Sequence, residues 1–132
     1  MSAEADRARL LELLRALSFE RRKVVLASGK ESDFYIDCKR TALTAEGHAL
    51  VGRLLLERVR RIRPPVRAVG GLTLGADPSA SAVALTSFLE HERTRAEGPR
   101  GGAPPNGGAA VAGAGAPAPG TVDAFVVRKE PK

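Results

Sequence analysis

The sequence Val122-Asp123-Ala124-Phe125-Val126-Val127 is a short apolar run that leads directly into the basic segment Arg128-Lys129-Glu130-Pro131-Lys132. Apolar runs of this length are typical of strands buried in parallel sheets, whose ligands bind beyond the carboxyl ends of the strands. We therefore expect Arg128, Lys129 and Lys132 to lie at a ligand-binding edge. An arginine there can bind phosphate through two hydrogen bonds, and a lysine adds a mobile charge. The alternative is an ordinary charged strand end.

A glycine-bearing turn separates the strand predicted at residues 66–69 from the next helix. The strand is expected to break at Gly70-Gly71, and Asp77-Pro78 supplies an N-cap acceptor followed by a proline at the first helical position. The helix is predicted to run to about His91. Glycines let the backbone approach a ligand, and the free N–H groups of a helix N-terminus favour phosphate. From these residues alone, a phosphate-binding turn and a merely tight connection are equally supported.

The two strands and the helix between them predict one β-loop-α-linker-β unit over residues 66–128, with the right-handed crossover usual for such units. Its linker, residues 94–120, consists mainly of glycine, alanine and proline. Because so few bulky apolar side chains cannot offset the entropy lost on ordering, we predict a disordered insertion. The length suits a single domain, residues 1–132.

The N-terminal third is predicted to contain a helix and a hairpin. Leucines recur at i, i+3, i+4 and i+7 within residues 3–18, and Ser2 can act as the N-cap of that helix. Val24-Val25-Leu26 and Phe34-Tyr35-Ile36-Asp37-Cys38 are predicted to be the two strands of a hairpin around a polar turn at 28–33. The aromatic residues of the second strand could hold a flat heterocycle. From these residues alone, packing of Phe34 and Ile36 in a core is the stronger explanation.

A second helix is predicted to begin after Thr44 and to end before Pro64-Pro65. Its inward-facing residues are predicted to be Val51, Leu54, Leu55, Val59 and Ile62. The helix also carries several arginines, which form either a phosphate-backbone stripe or, as we rank first, a solvated face.

The formal net charge of +6 favours an anionic partner such as nucleic acid, a membrane surface or a phosphorylated small molecule. Aromatic residues make up 4% of the chain and tryptophan is absent, so the stacking platform of single-strand binders is missing and nucleic acid is an unlikely partner. A single cysteine and the lack of a long apolar stretch favour a soluble, cytoplasmic protein without membrane contact. His48 and His91 have no triad or zinc pattern, and no metal site is predicted from protein side chains.

Three motifs together resemble the orotate phosphoribosyltransferase family of de novo pyrimidine biosynthesis. They are, in chain order, Ser28-Gly-Lys-Glu-Ser-Asp-Phe-Tyr-Ile-Asp37, Val69-Gly-Gly-Leu-Thr-Leu-Gly-Ala-Asp-Pro78 and Asp123-Ala-Phe-Val-Val-Arg-Lys-Glu-Pro-Lys132. The resemblance implies the α/β fold of type I phosphoribosyltransferases, a parallel sheet flanked by helices, with the hairpin region as an N-terminal hood. It also implies transfer of phosphoribose from phosphoribosyl diphosphate to N1 of orotate, which gives orotidine monophosphate and diphosphate. Magnesium is expected to bind through the phosphoribosyl diphosphate.

The same resemblance implies roles for individual residues. The residues expected to contact orotate are Phe34, Tyr35 and Ile36, and those expected to bind diphosphate are Thr73, Leu74, Arg128, Lys129 and Lys132. Lys132 is also expected to be the catalytic residue, at the start of a mobile loop that closes over the neighbouring subunit's site. The active enzyme is accordingly expected to be a homodimer with shared sites.

The family's acidic pair and its Thr/Gly-rich loop, which bind the ribose 5-phosphate, have no counterpart in residues 1–132. We therefore expect an incomplete phosphoribosyltransferase fold, the N-terminal portion of the enzyme, inactive by itself. The alternative function is a non-catalytic basic module that uses a phosphoribosyltransferase-like scaffold for RNA contact or regulation. That module would need an affinity for nucleic acid that falls steeply with salt.

Overall fold

The computed structural model describes residues 2–98 and 120–129. Its helices are α1 (Ala3–Leu13), α2 (Lys39–Ala42), α3 (Ala45–Val59) and α4 (Asp77–Ala96). Its strands are β1 (Phe19–Glu20), β2 (Val24–Val25), β3 (Glu31–Ser32), β4 (Tyr35–Ile36), β5 (Ala68–Leu72) and β6 (Asp123–Val127). A π-helical turn, Leu14–Ser18, extends α1. None of the helices in the described ranges combines the length and apolar character needed to cross a membrane.

The β5 and β6 strands pair in parallel, from Ala68 opposite Asp123 to Leu72 opposite Val127. Helix α4 connects them and packs against both, so the predicted parallel unit with a crossover helix is confirmed. The predicted break at Gly70-Gly71 is wrong, because both glycines lie inside β5. A Cβ at Gly70 would come within 2.2 Å of the Phe125 carbonyl oxygen, so a glycine here permits the close pairing of β5 with β6.

The β6 strand is exposed, which contradicts the prediction of a buried strand. Phe125, Val126 and Val127 are 44–53% exposed, although the preceding Val122 is buried. Within the described residues β6 pairs only with β5, so its outer edge and much of its surface face solvent. An apolar composition indicates a strand that is suited to burial, but neighbouring elements decide whether it is covered.

The hairpin region consists of two nested strand pairs. The outer pair joins β1 to β4, with Phe19 opposite Ile36, and the inner pair joins β2 to β3, with Val24 opposite Ser32. The prediction that residues 24–26 pair with residues 34–38 is therefore wrong. The aromatic strand β4 instead takes Phe19–Glu20 as its partner, which brings the apolar side chains of Phe19 and Ile36 to opposite positions.

Both predicted N-caps in the first half of the chain are confirmed. The Ser2 hydroxyl accepts a hydrogen bond from the Ala5 N–H at 3.2 Å, and the Thr44 hydroxyl accepts one from the Gly47 N–H at 3.1 Å. Helical structure continues to Ser18 as predicted, with the final turn widened to a π-helix. A side-chain oxygen that accepts from the first free N–H groups stabilises the start of a helix. This preference for particular residues at the N-cap is why the two helix starts could be predicted from the sequence.

The buried face of α3 differs from the predicted stripe. Its buried residues are Gly47, Leu50, Gly52 and Leu56, whereas Leu55 is 39% exposed and Ile62, beyond the helix, is 50% exposed. At Gly52 a Cβ would lie 2.6 Å from the Ala82 carbonyl oxygen, so α3 and α4 touch backbone to backbone there. Of the predicted stripe, Val59 is partly buried and packs against the core.

The core lies between α3, α4 and the start of β6, where Leu56, Val83 and Val122 form one cluster. Ser87 of α4, fully buried, adds a polar link: its hydroxyl accepts from the Val122 N–H at 3.0 Å and lies 3.3 Å from the Val122 carbonyl oxygen. The single hydroxyl proton has the Ala84 carbonyl oxygen of its own helix closer, at 2.8 Å, so the residue before β6 is held to the crossover helix mainly through the Val122 N–H.

Helix α4 differs from its prediction at both ends. Its N-cap is Ala76, without a side-chain hydrogen bond, and Asp77 is the first helical residue, so the predicted N-cap role of Asp77 is wrong. The helix continues to Ala96, where Thr94 donates to the Glu90 carbonyl at 3.0 Å. Residues 94–96 of the predicted insertion are therefore helical, and residues 99–119 lie outside the described part of the chain.

Candidate functional site

The carboxyl ends of β5 and β6 meet at one sheet edge. The Thr73 N–H donates a hydrogen bond of 3.1 Å to the Val127 carbonyl oxygen, which continues the parallel ladder by one step beyond Leu72. The residue after Val127 is Arg128, so the glycine turn and the basic segment start side by side. The predicted meeting of these two segments at one edge is confirmed.

The turn at residues 73–76 is largely exposed. The Ala76 N–H donates to the Leu72 carbonyl at 3.0 Å and closes the turn, and the Thr73–Leu74 peptide bond is cis. Leu74 is 78% exposed, and a Cβ at Gly75 would meet no atom within 4 Å. The outer side of the turn is therefore open to a ligand.

Helix α4 starts immediately after this turn. The first N–H groups of a helix lack acceptors within the helix, and Pro78 has no N–H, so the free donors here are those of Asp77 and Ser79, which no N-cap side chain covers. The helix dipole adds partial positive charge at the same end. Both effects favour an anion, and α4 has 20 residues, so its dipole is well developed.

Arg128 and Lys129 extend this positive edge. Both are exposed, and neither forms an ion pair with another residue in ranges 2–98 and 120–129. Their charges are thus free to bind an anionic ligand. Lys132 lies outside the described residues, so its catalytic role stays a prediction.

Carboxylates are scarce at this edge. No group of three or more His, Cys, Asp or Glu side chains in the described part of the chain is placed to hold a metal ion. Asp77 is the single carboxylate between Thr73 and Pro78, and its Oδ1 is buried without a hydrogen-bond partner among the described residues. Magnesium is normally bound by one or two carboxylates together with substrate phosphates and water. These residues fit a metal that is held mainly by phosphate oxygens, but not a dedicated protein site.

The hairpin carries the residues predicted to contact the base. Phe34, Tyr35 and Ile36 are all exposed, so the expectation of core packing for Phe34 and Ile36 is wrong. The Phe34 ring stacks on Phe19 with centroids 6.0 Å apart, and the Arg22 guanidinium lies 4.9 Å above the Tyr35 ring. The sequence reasoning missed Phe19 and Arg22, because the pairing of β1 with β4 was not recognised.

Glu20 connects the hairpin to α2. Its carboxylate accepts hydrogen bonds from Arg22, at 2.9 Å, and from Arg40. These two guanidinium groups, Arg22 first, lower the pKa of the Glu20 carboxyl below its ordinary value. The carboxylate therefore stays ionised at neutral pH and keeps Arg22 beside Tyr35.

The two predicted substrate regions pack against different elements of the fold. The β1 strand packs against the π-helical turn, whereas β5 and β6 pack against α4. No hydrogen bond in the described part of the chain joins residues 34–36 to Thr73 or Arg128.

Comparison with known proteins identifies several relatives of this chain. No protein-family model matches the chain. An orotate phosphoribosyltransferase of Sorangium cellulosum is 60% identical over 85 residues, which are 64% of this chain and 44% of the relative. The orotate phosphoribosyltransferase of Mycobacterium tuberculosis, solved with Fe(III) dicitrate, is 37% identical with a TM-score of 0.59 over 96% of this chain and 54% of that one.

The same M. tuberculosis enzyme solved in complex with phosphoribosyl diphosphate is 36% identical, with a TM-score of 0.56 over 93% of this chain and 53% of the other. The chain thus spans about half the length of the relatives that it matches. Its parallel strands and flanking helices have the fold of type I phosphoribosyltransferases over that half.

Proposed function

We propose, on the premise that the chain is homologous to orotate phosphoribosyltransferases, that it carries the diphosphate-binding edge and the base-binding hairpin of such an enzyme. The whole enzyme transfers phosphoribose from phosphoribosyl diphosphate to N1 of orotate, in pyrimidine biosynthesis. The main support from this chain's own geometry is the 3.1 Å hydrogen bond from Thr73 to Val127, since it sets the open turn beside Arg128.

The sheet edge suits the leaving group of this reaction. Cleavage of the bond between ribose C1 and diphosphate builds negative charge on the diphosphate. Arg128 and Lys129, with the N–H groups at the start of α4, stabilise that charge more strongly in the transition state than in the ground state. Magnesium bound to the diphosphate would neutralise further charge, and Asp77 is the carboxylate of the turn that is available to its hydration shell. Because the Thr73 N–H is bonded to Val127, Thr73 offers its hydroxyl and Leu74 its backbone N–H to the same anion.

The hairpin suits the base. Phe34 and Tyr35 offer exposed aromatic surface, and Ile36 continues the apolar patch along β4. A planar heterocycle gains contact area with little loss of conformational entropy when it stacks on such a surface. In the complete enzyme the hairpin is then a hood that brings orotate to the sugar held at the sheet edge.

The remaining parts of the proposal rest on likeness to the family. Lys132 is the catalytic cation and acts on the leaving group in the neighbouring subunit's site. The complete enzyme is a homodimer in the cytoplasm. Because the chain spans about half of its relatives, we expect it to bind substrates but not to turn them over alone.

The test combines binding with turnover. The purified chain is titrated with phosphoribosyl diphosphate and magnesium in a calorimeter, and is then incubated with orotate while the formation of orotidine monophosphate is followed. We expect binding without turnover. Absence of any binding of phosphoribosyl diphosphate would overturn the proposed edge, and product formation at an enzymatic rate would show that the expectation of inactivity is wrong.

The RNA-binding alternative has less support. Several arginines of the predicted basic stripe, on α3 and just after it, are already paired, with Arg53 bound to Asp6, Arg60 to Glu90 and Arg61 to Glu57. Paired guanidinium groups release little free energy on contact with phosphate. This observation supports the solvated-face interpretation of the stripe.

A further inference from the structure

A cleft of about 570 Å³ lies between α1 and α3, in a part of the fold to which the proposed function gives no role. Arg7 and Leu10 of α1 line one wall, and Leu54, Leu55 and Arg58 of α3 line the other. This volume falls within the range of about 300–1,000 Å³ that is usual for small-molecule sites. No residue of the sheet edge or of the hairpin lines this cleft.

Two ion pairs hold the walls of the cleft in place relative to each other. Asp6 of α1 accepts hydrogen bonds from Arg53 of α3 at 2.6 and 2.9 Å. Arg9 of α1 donates hydrogen bonds to Glu46 of α3, also at 2.6 and 2.9 Å. Both contacts are bidentate, a geometry that fixes the guanidinium and the carboxylate in one orientation. The cleft is therefore formed before a ligand arrives, which lowers the cost of ordering on binding.

The four arginines of α1 and α3 differ in whether they have a partner. Arg9 and Arg53 form the ion pairs between the walls. Arg7 and Arg58 are exposed, and neither forms an ion pair with another residue in ranges 2–98 and 120–129. Both of these unpaired arginines line the cleft, one from each helix. An anion can therefore bind them without displacing a carboxylate of the protein.

The acidic residues of the lining do not cancel this positive charge. Glu57 lines the cleft, but its carboxylate already accepts a hydrogen bond from Arg61. Glu4 is the one carboxylate of the lining that has no ion pair among the described residues. Two unpaired cations therefore face one unpaired carboxylate, and the cleft attracts an anion.

The apolar part of the lining is aliphatic. Leu10 and Leu54 are half-buried, Leu55 is 39% exposed, and no aromatic ring lines the cleft. Flat heterocycles gain most from aromatic surfaces, on which they stack. Leucine side chains instead gain contact with any aliphatic group in proportion to the apolar area that is buried. The lining thus favours a ligand with an alkyl body over a nucleotide base.

We propose that this cleft binds a medium-chain aliphatic carboxylate. The carboxylate lies between the guanidinium groups of Arg7 and Arg58, and the alkyl chain lies along the three leucines. A guanidinium binds a carboxylate through two parallel hydrogen bonds, which an alcohol of the same length cannot accept. Each methylene group that is buried raises the affinity by about fourfold. This site is independent of the proposed function, because it shares no residue with the diphosphate edge or the base-binding hairpin.

The experiment titrates octanoate, hexanoate and 1-octanol into the full chain and follows the backbone amide shifts by NMR. Hexanoate shortens the alkyl chain, and octanol removes the carboxylate. The test variant is R7Q/R58Q, and the control is R93Q/R95Q, which also removes two exposed arginines but outside the cleft. Amide spectra of the variants check that the helices are retained.

We expect octanoate to shift amides of α1 and α3 and to bind about tenfold more tightly than hexanoate, since it buries two more methylene groups. Each lost cation should weaken octanoate binding by about two- to fivefold, as for exposed ion pairs. R7Q/R58Q should therefore bind octanoate at least about fourfold more weakly, with unchanged affinity for octanol, while R93Q/R95Q binds both as the wild type does. Leu55→Ser, at an exposed position, should reduce the advantage of octanoate over hexanoate.

Two results would overturn the inference: equal octanoate affinity in wild type and R7Q/R58Q, or equal affinity of the wild type for octanoate and octanol. Shifts confined to the exposed strand β6 would place the alkyl chain there and also contradict the proposal. Binding to anionic phospholipid vesicles that R7Q/R58Q weakens, without octanoate shifts in α1 and α3, would assign the two arginines to a membrane surface instead. The titration with phosphoribosyl diphosphate tests the proposed function separately, so either can fail alone.

Discussion

The Thr73 N–H donates to the Val127 carbonyl oxygen at 3.1 Å, one step past the last residue pair of the parallel strands. This bond ties the first residue of an open turn to the residue before Arg128. Any shift of β6 along β5 would separate the turn from the cation. The position of the proposed anion site is therefore set by strand register, and not by the side chains that line the site.

Replacement of Arg128 by glutamine tests the cation at this edge. We expect R128Q to weaken binding of magnesium diphosphate by roughly tenfold, the size of a charge-assisted contact that is partly exposed to solvent. Arg67 is a matched control, because it is also exposed and its carbonyl accepts from Asp123 at the opposite end of the two strands. Equal weakening by R128Q and R67Q in calorimetric titrations would show that net charge alone binds the anion.

Gly70 allows β5 and β6 to approach each other, and its replacement should separate them. A Cβ at this position would lie 2.2 Å from the Phe125 carbonyl oxygen and 2.7 Å from its ring. We expect Gly70→Ala to lower the free energy of unfolding in urea by about 1–3 kcal/mol, as for other overpacked sites. At Gly75 nothing lies within 4 Å of a Cβ, so Gly75→Ala should leave stability almost unchanged. A neutral Gly70→Ala would mean that the strands do not pair in this register.

The Asp6–Arg53 pair should give stability that depends on pH. Asp6 is only 5% exposed and accepts from Arg53 at 2.6 and 2.9 Å, and this hydrogen bonding holds the pKa of the Asp6 carboxyl below its ordinary value. A carboxyl with a lowered pKa in the folded state stabilises the fold above the ordinary pKa, and that contribution is lost as the pH falls through the lowered value. The thermal unfolding temperature of the wild type should therefore decrease as the pH is lowered below about 4.

Asp6→Asn removes the charge of this carboxylate. The unfolding temperature of the variant should therefore depend less on pH in that acidic window. At pH 7 we expect this variant to be less stable by about 1.5–3 kcal/mol, the value of a hydrogen bond to a charged group. Glu46→Gln is the matched control, because the Arg9–Glu46 pair is exposed and solvent screens it. A larger loss of stability in the control than in Asp6→Asn would contradict this explanation.

A buried pair of hydroxyl groups joins the π-helical turn to α2. Ser18 Oγ and Thr41 Oγ1 lie 2.6 Å apart, and both residues are almost fully buried. Thr41→Val should destabilise the chain by about 1–3 kcal/mol, because it leaves the Ser18 hydroxyl without its partner. The double variant S18A/T41V should lose less than the sum of the two single losses in urea unfolding, since neither hydroxyl then remains unsatisfied. Additive losses would mean that the pair does not interact.

Local features of the sequence were sufficient to predict much of the fold. Ser2 and Thr44 marked helix starts because a short polar side chain is specific for the N-cap. The order of apolar strand, small-residue helix and apolar strand predicted the parallel unit, and with it the meeting of Thr73 and Arg128. These features depend on neighbours in sequence or on a general rule of connection.

The features that the sequence did not predict depend on contacts between distant residues. The sequence predicted a strand break at Gly70. This glycine instead leaves space for the carbonyl group and ring of Phe125, its partner on β6, about 55 positions away in the sequence. Phe19 joined the aromatic cluster through its pairing with Ile36, which no turn signal marks. Gly52 set the buried face of α3 through contact with Ala82. In each case a partner from another element decides the outcome.

Ser87 has a consequence for how the chain tolerates change. Because its hydroxyl accepts from the Val122 N–H, α4 holds the residue that begins the path into β6. A substitution at Ser87, a buried residue far along the chain from the sheet edge, would therefore displace the strand that ends beside Thr73.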